Sequence, residues 1–179
     1  MANMQKKNKR GQTAFYLLLI AVGLVSVYLS FGRGGSGLGD EYVASLGNQH
    51  VNEKEEHQAY NSTPPTSGPH LGSSVAPWGV HTEQIPDELQ VHNLEDGGVI
   101  IHYDPARVDN ETLKSLTDFG EGRGDRHLVV EPYVNPTLPS PIVLTAWTRL
   151  LRLEQFDREA IISFIKKYEG RDHHVRKPL

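Results

Sequence analysis

The chain holds nine histidines, two methionines and no cysteine, so any metal centre in it must be built from imidazole and carboxylate. Such N/O donor sets suit zinc, copper(II) and other borderline ions. Three histidines fall in segments dense with other polar side chains: His50 in GNQHV, His70 in PPTSGPH and His92 in HNLEDGG. With Asp96 they form a candidate ligand set of His50, His70, His92 and Asp96, for which zinc or copper is the expected ion. A carboxylate binds zinc at about 2.0 to 2.2 Å and shifts the preference toward harder ions. The same histidines serve equally well as structural residues, His70 closing a proline-rich loop and His92 capping a turn. Spacing does not separate the two readings, because the ligands come from three segments.

Two other chemistries compete. Ser67 or Ser62 as nucleophile, His70 or His92 as base and Glu95 or Asp96 as orienter would make a hydrolase. No G-x-S-x-G elbow follows a strand, however, and turn formation explains serines among prolines. Alternatively the loop and HNLEDGG, read as a turn, present a binding surface of Tyr60, Pro64, Pro65, Ser67, Trp78 and Glu95 to another envelope protein. Glu95 and Asp96 as a glycosidase pair is disfavoured, since sequence neighbours seldom face one another across a substrate. The aromatic residues Tyr60, Trp78, Tyr103 and Trp147 either line a groove or, the preferred reading, fill the core. His173 and His174, near the chain end, read as solvated.

The elements that must position these residues follow from patterning. Tyr60 to His81 contains four prolines and three glycines, which exclude a long helix or central strand and leave an irregular loop. Loops of that length inside a compact domain are usually functional or disordered. VIIHY, 99–103, reads as a strand with His102 on the face of Ile100, opposite Val99, Ile101 and Tyr103. Asp109 is placed to cap a helix running to about Asp118, with Val108 and Leu113 as a hydrophobic staple. Strands follow at 128–133 and from Ile142, while 149–156 is ambiguous between strand and helical turn. Asp157 caps a last helix in which Ile161, Phe164, Ile165 and Tyr168 share a face and which Gly170 ends. The expected class is α+β, a small sheet with two flanking helices, and 99–132 is a candidate β-α-β unit.

Charge divides the chain. Residues 1–39 carry five basic and no acidic side chains, whereas residues 40–179 carry 13 basic and 22 acidic ones. So acidic a domain repels phosphate backbones, and nucleic acid is not an expected partner. The basic end has a different use: from Ala14 to Phe31 the sequence is almost wholly apolar, about the ~20 residues that cross a bilayer core. The cluster Lys6, Lys7, Lys9 and Arg10 before it places the N-terminus in the cytoplasm. The stretch exceeds a signal-peptide core and no A-x-A-like site follows, so it reads as an uncleaved anchor. The expected organisation is a cytoplasmic tip (1–13), a transmembrane helix (14–31), a glycine-rich tether (32–39) and an extracytoplasmic domain (40–179).

The segments GNQHV, YNSTPPTSGPH, PWG, VHNLEDGGVIIHYDP and PIVLTAWTRLLRLEQFD together give the chain a close resemblance to the bacterial domain-of-unknown-function family 3105. That resemblance implies an anchor followed by one exported domain and carries no established activity. Family members usually read HNLEHGG where this chain has Asp96, so a second imidazole in that segment is replaced by a carboxylate.

Overall fold

The computed structural model describes residues 39–124 and 126–174. The candidate transmembrane segment, 14–31, lies outside these; among the described residues no helix is long and apolar enough to cross a membrane. The described chain is α+β, with eight strands and three helices. The strands are β1 (Glu41–Tyr42), β2 (His50–Val51), β3 (His70–Leu71), β4 (Gly79–Val80), β5 (Val99–Tyr103), β6 (Leu128–Pro132), β7 (Ile142–Ala146) and β8 (Arg149–Leu153). The helices are α1 (Asp87–Glu95), α2 (Asn110–Glu121) and α3 (Arg158–Tyr168).

Six strands form one mixed sheet in the order β1-β8-β7-β5-β6-β4, and β2 and β3 pair separately in parallel. β5 and β6 run parallel with α2 between them, so the expected β-α-β unit is present. β7 and β8 make an antiparallel hairpin in which Ala146 pairs with Arg149 across a two-residue turn. Thr148 sits there at φ 58. The ambiguous stretch from Arg149 is therefore the returning strand through Leu153, held by pairing with β7 that local propensity does not reveal.

Alternation along β5 divides the core as expected. Val99, Ile101 and Tyr103 face a cluster with Leu116 and Phe119 of α2 and Ile161, Phe164, Ile165 and Tyr168 of α3. Ile100 faces the other side, with Val129, Leu94, Ala76 and Ile85, against which Trp78 and Trp147 pack. Burying each such side chain contributes about 1.5–3 kcal/mol. Asp109 caps α2 by accepting from Thr112 N at 2.8 Å, and Asp157 caps α3 by accepting from the amides of Glu159 and Ala160. Val108 and Leu113 both pack on the core, as a staple requires, and α2 runs to Glu121 rather than Asp118.

The third helix corrects the expectation of two. HNLEDGG is not a turn: its first four residues are the end of α1 and the rest is its cap. Gly98 N bonds Asn93 O at 2.8 Å, Gly97 N bonds Leu94 O at 3.1 Å, and Gly97 has φ 82. That is a Schellman motif with a left-handed glycine. Helix α1 lacks an apolar stripe because Gln90, Asn93 and Glu95 are buried on it, which hides its period. Asn93 accepts from Ala76 N at 2.8 Å and donates to Ala76 O at 2.9 Å, so one side chain clips the long loop to the helix. That loop holds two short strands, β3 and β4, which dock it at two places.

Candidate metal centre

Glu95 closes α1 with its side chain fully buried. Asn48 Nδ2 donates to its Oε1 at 2.7 Å. Its Oε2 faces three imidazoles: His70 Nε2 at 2.9 Å, His174 Nε2 at 3.2 Å and His50 Nε2 at 3.4 Å. The ring of His92 lies 5.2 Å from His70 and 5.7 Å from His50, centroid to centroid. Four histidines and two carboxylates, Glu95 and Asp96, thus meet at the end of α1. The parallel pairing of β2 with β3 sets His50 directly opposite His70.

The far ring nitrogens are also committed. His174 Nδ1 donates to Asp172 at 2.7 Å, and His92 Nδ1 faces the carbonyls of Leu71 and Ser74, the latter at 3.0 Å. A ring nitrogen that donates elsewhere leaves the other with a lone pair, the usual outer support of a metal-bound histidine. His70 is more constrained still. Its Nδ1 faces Gly68 O at 2.8 Å and its Nε2 faces Glu95, so both partners are acceptors. A neutral ring with one proton leaves one ring lone pair facing an acceptor; a second ring proton removes the clash, and a cation at Oε2 weakens it where the bare nitrogen is Nε2. Burial opposes the second proton and pulls the His70 pKa below its ordinary value. Burial also pushes Glu95 up, but the Asn48 hydrogen bond and the neighbouring imidazoles outweigh it and hold the carboxyl below its usual range. The Asp172 hydrogen bond raises His174.

Among the described residues, donor atoms within 4.8 Å of one another fall in two groups, His50–Glu95–His174 and His92–Asp96–His174. The sequence-derived set of His50, His70, His92 and Asp96 is therefore gathered in one neighbourhood but not as one shell. His70 stands behind Glu95, outside both groups. His173 and His174 belong to a docked segment, His173 half-buried and His174 still solvated, with 41% of its side chain exposed. After Gly170 the chain turns back, with Gly170 N bonding Gly97 O at 2.8 Å and His173 N bonding Glu95 O at 2.9 Å. His173 stacks on Trp147 at 5.7 Å. A Cβ on Gly97 would stand 2.7 Å from Arg171 N, so only glycine admits this close passage. The helix stop at Gly170 was legible, but the return path was not.

The expected binding surface is not presented to solvent as a set. Pro64, Pro65, Ser67 and Glu95 are buried, and Tyr60 and Trp78 are half-buried. Tyr60 donates to Pro69 O at 2.6 Å. The serines of the hydrolase reading are spent on backbone, Ser67 Oγ accepting from Leu46 N at 3.0 Å and Ser62 Oγ donating to Pro64 O at 2.9 Å.

A second buried histidine lies in the sheet. His102 Nδ1 meets Glu131 Oε1 at 2.8 Å, Thr145 Oγ1 meets its Nε2 at 2.9 Å, and Ile85 N donates to Glu131 Oε2 at 2.6 Å. Nearby, Tyr133 donates to Asp87 at 3.0 Å. Burial lifts the Asp87 carboxyl to about 6 despite that hydrogen bond.

Comparison with curated proteins and with solved structures returns no match. A family model described as protein of unknown function, DUF3105, matches residues 50–178, a span that includes all four clustered histidines and both carboxylates. With most of its length under that one model, the chain belongs to the DUF3105 family.

Proposed function

We propose that this domain binds one borderline transition-metal ion, zinc or copper, through His50, Glu95 and His174, with His70 positioning the carboxylate. The observation that carries the reading is the compact group His50–Glu95–His174, whose donor atoms all lie within 4.8 Å of one another. Two of its contacts, at 3.2 and 3.4 Å, match the separation of about 3.3 Å between ligands in a tetrahedral shell with ~2.0 Å bonds. The absence of thiolate and the N/O donor set favour zinc or copper(II) over copper(I). Half of the His50 side chain is exposed while that of Glu95 is sealed, which leaves one coordination direction open to solvent. The apolar run 14–31 and the basic residues before it support the further reading that the domain is anchored on the outer face of a membrane.

The test is elemental analysis of the full chain purified in detergent without a polyhistidine tag. One zinc or copper per chain is expected. Glu95→Gln and His174→Ala should lower affinity for added zinc by about 100-fold. Metal-free protein that also fails to bind added zinc or copper(II) rejects the proposal. Protease added to intact spheroplasts should digest the domain; protection alongside a digested exported control would reject the outward placement.

A further inference from the structure

Glu95 and Asp96 are consecutive, and consecutive helix residues ordinarily point about 100° apart. Here both reach one atom. His174 Nε2 lies 3.2 Å from Glu95 Oε2 and 3.8 Å from Asp96 Oδ1. This happens because α1 ends at Glu95 and the returning chain crosses that end. The other nitrogen of His174 is held by Asp172, so Nε2 alone can serve both donor groups. An ion in one group therefore excludes an ion in the other.

The two groups differ in depth. The Glu95 side chain is fully buried, whereas that of Asp96 is 33% exposed, and His92 and Asp96 are both half-buried. A hydrated divalent ion cannot reach a sealed carboxylate without shedding water, and shedding it all in one step is steeply unfavourable. An outer position lets the ion lose water in stages.

Resting on the transition-metal reading above, we propose that His92, Asp96 and His174 form a capture position from which the ion passes to His50, Glu95 and His174, pivoting on His174 Nε2. The exchange is balanced: the Asp96 carboxylate leaves as Glu95 Oε2 binds, and the His92 nitrogen leaves as that of His50 binds. Net charge around the ion is unchanged; the proton that His50 Nε2 shares with Glu95 Oε2 leaves that nitrogen for Nδ1 of the same half-exposed ring or for solvent as the ion binds. His92 is prepared for its part, since the Leu71 and Ser74 carbonyls hold its Nδ1 and fix the ring. Asp96 acts on the rate of loading, and Glu95 on the affinity at its end.

The test uses the tag-free full chain in detergent, with zinc delivered from a chromophoric chelator in a stopped-flow instrument. One zinc per chain is expected. Asp96→Asn should slow association about tenfold, with final affinity altered by less than about threefold, and Asp96→Glu should restore the rate. General attraction of a cation by an acidic surface also speeds association, so Glu83→Gln, an exposed neutralisation outside the cluster, serves as control and should change the rate by less than about twofold. An unchanged rate in Asp96→Asn, an equal slowing in Glu83→Gln, or two zinc ions per chain would overturn the path while leaving the metal reading standing. Failure of the unaltered chain to bind zinc or copper would remove both.

Discussion

His102–Glu131 and His70–Glu95 are both imidazole–carboxylate pairs with no exposed side-chain surface, yet their surroundings differ in kind. Around His102 donors and acceptors balance. One ring proton goes to Glu131, the Thr145 hydroxyl can donate to the remaining nitrogen, and the second carboxylate oxygen takes the Ile85 amide. Around Glu95 they do not balance: His70 sits between two acceptors, and Oε2 meets two further imidazoles. A buried His–Glu pair is therefore not in itself a sign of a metal centre. What sets the second pair apart is the extra acceptor at His70, which a positive charge completes, whether a second ring proton or the proposed ion.

The largest expected effect separates the two pairs. His102→Ala leaves Glu131 buried without its partner and should lower unfolding free energy by about 3–5 kcal/mol, read by denaturant titration, while zinc affinity at folding conditions stays unchanged. A matching loss of zinc binding in the folded variant would erase the distinction.

A smaller effect sharpens it from the other side. Gly97→Ala removes no ligand but sets a Cβ against the Arg171 backbone, displacing the segment that delivers His174. Zinc affinity should fall about tenfold through the coupling between segment docking and ion binding, and amide exchange at 170–174 should quicken. Unchanged affinity would mean that the returning segment does not complete the site.

The smallest concerns Asp87, which belongs to the balanced side. Its folded pKa, about 6, lies above the ordinary carboxyl value of 3.8. At low pH the group is protonated in both folded and unfolded chains and imposes no penalty. As pH rises through about 6 the unfolded chain ionises more readily than the folded one, and stability is lost. Asp87→Asn, which can still accept from Tyr133, should raise stability at pH 8 by on the order of 1–2 kcal/mol, with the gain closing below about pH 4. Thermal melts across that range measure it.

These regions were not equally legible in sequence. The sheet was, because β5, β6 and β7 are β-branched runs, and Asp109 and Asp157 announce their helices. Helix α1 was not, since its buried side holds Gln90, Asn93 and Glu95, which bond the loop and the histidines rather than pack as a stripe. The glycine pair after Asp96 was the available signal of a helix end. Of the candidate site, His50, His70 and His92 were visible as histidines in polar segments. His174 was not, because its place depends on a chain reversal fixed by backbone bonds to Glu95 and Gly97.

Both outer strands of the large sheet, β1 and β4, are two residues long. A stub that short offers a stranger almost no unpaired amides or carbonyls along which to zip. Copies of this domain that crowd together therefore meet blunted borders at β1 and β4, which disfavours strand addition along those two stubs.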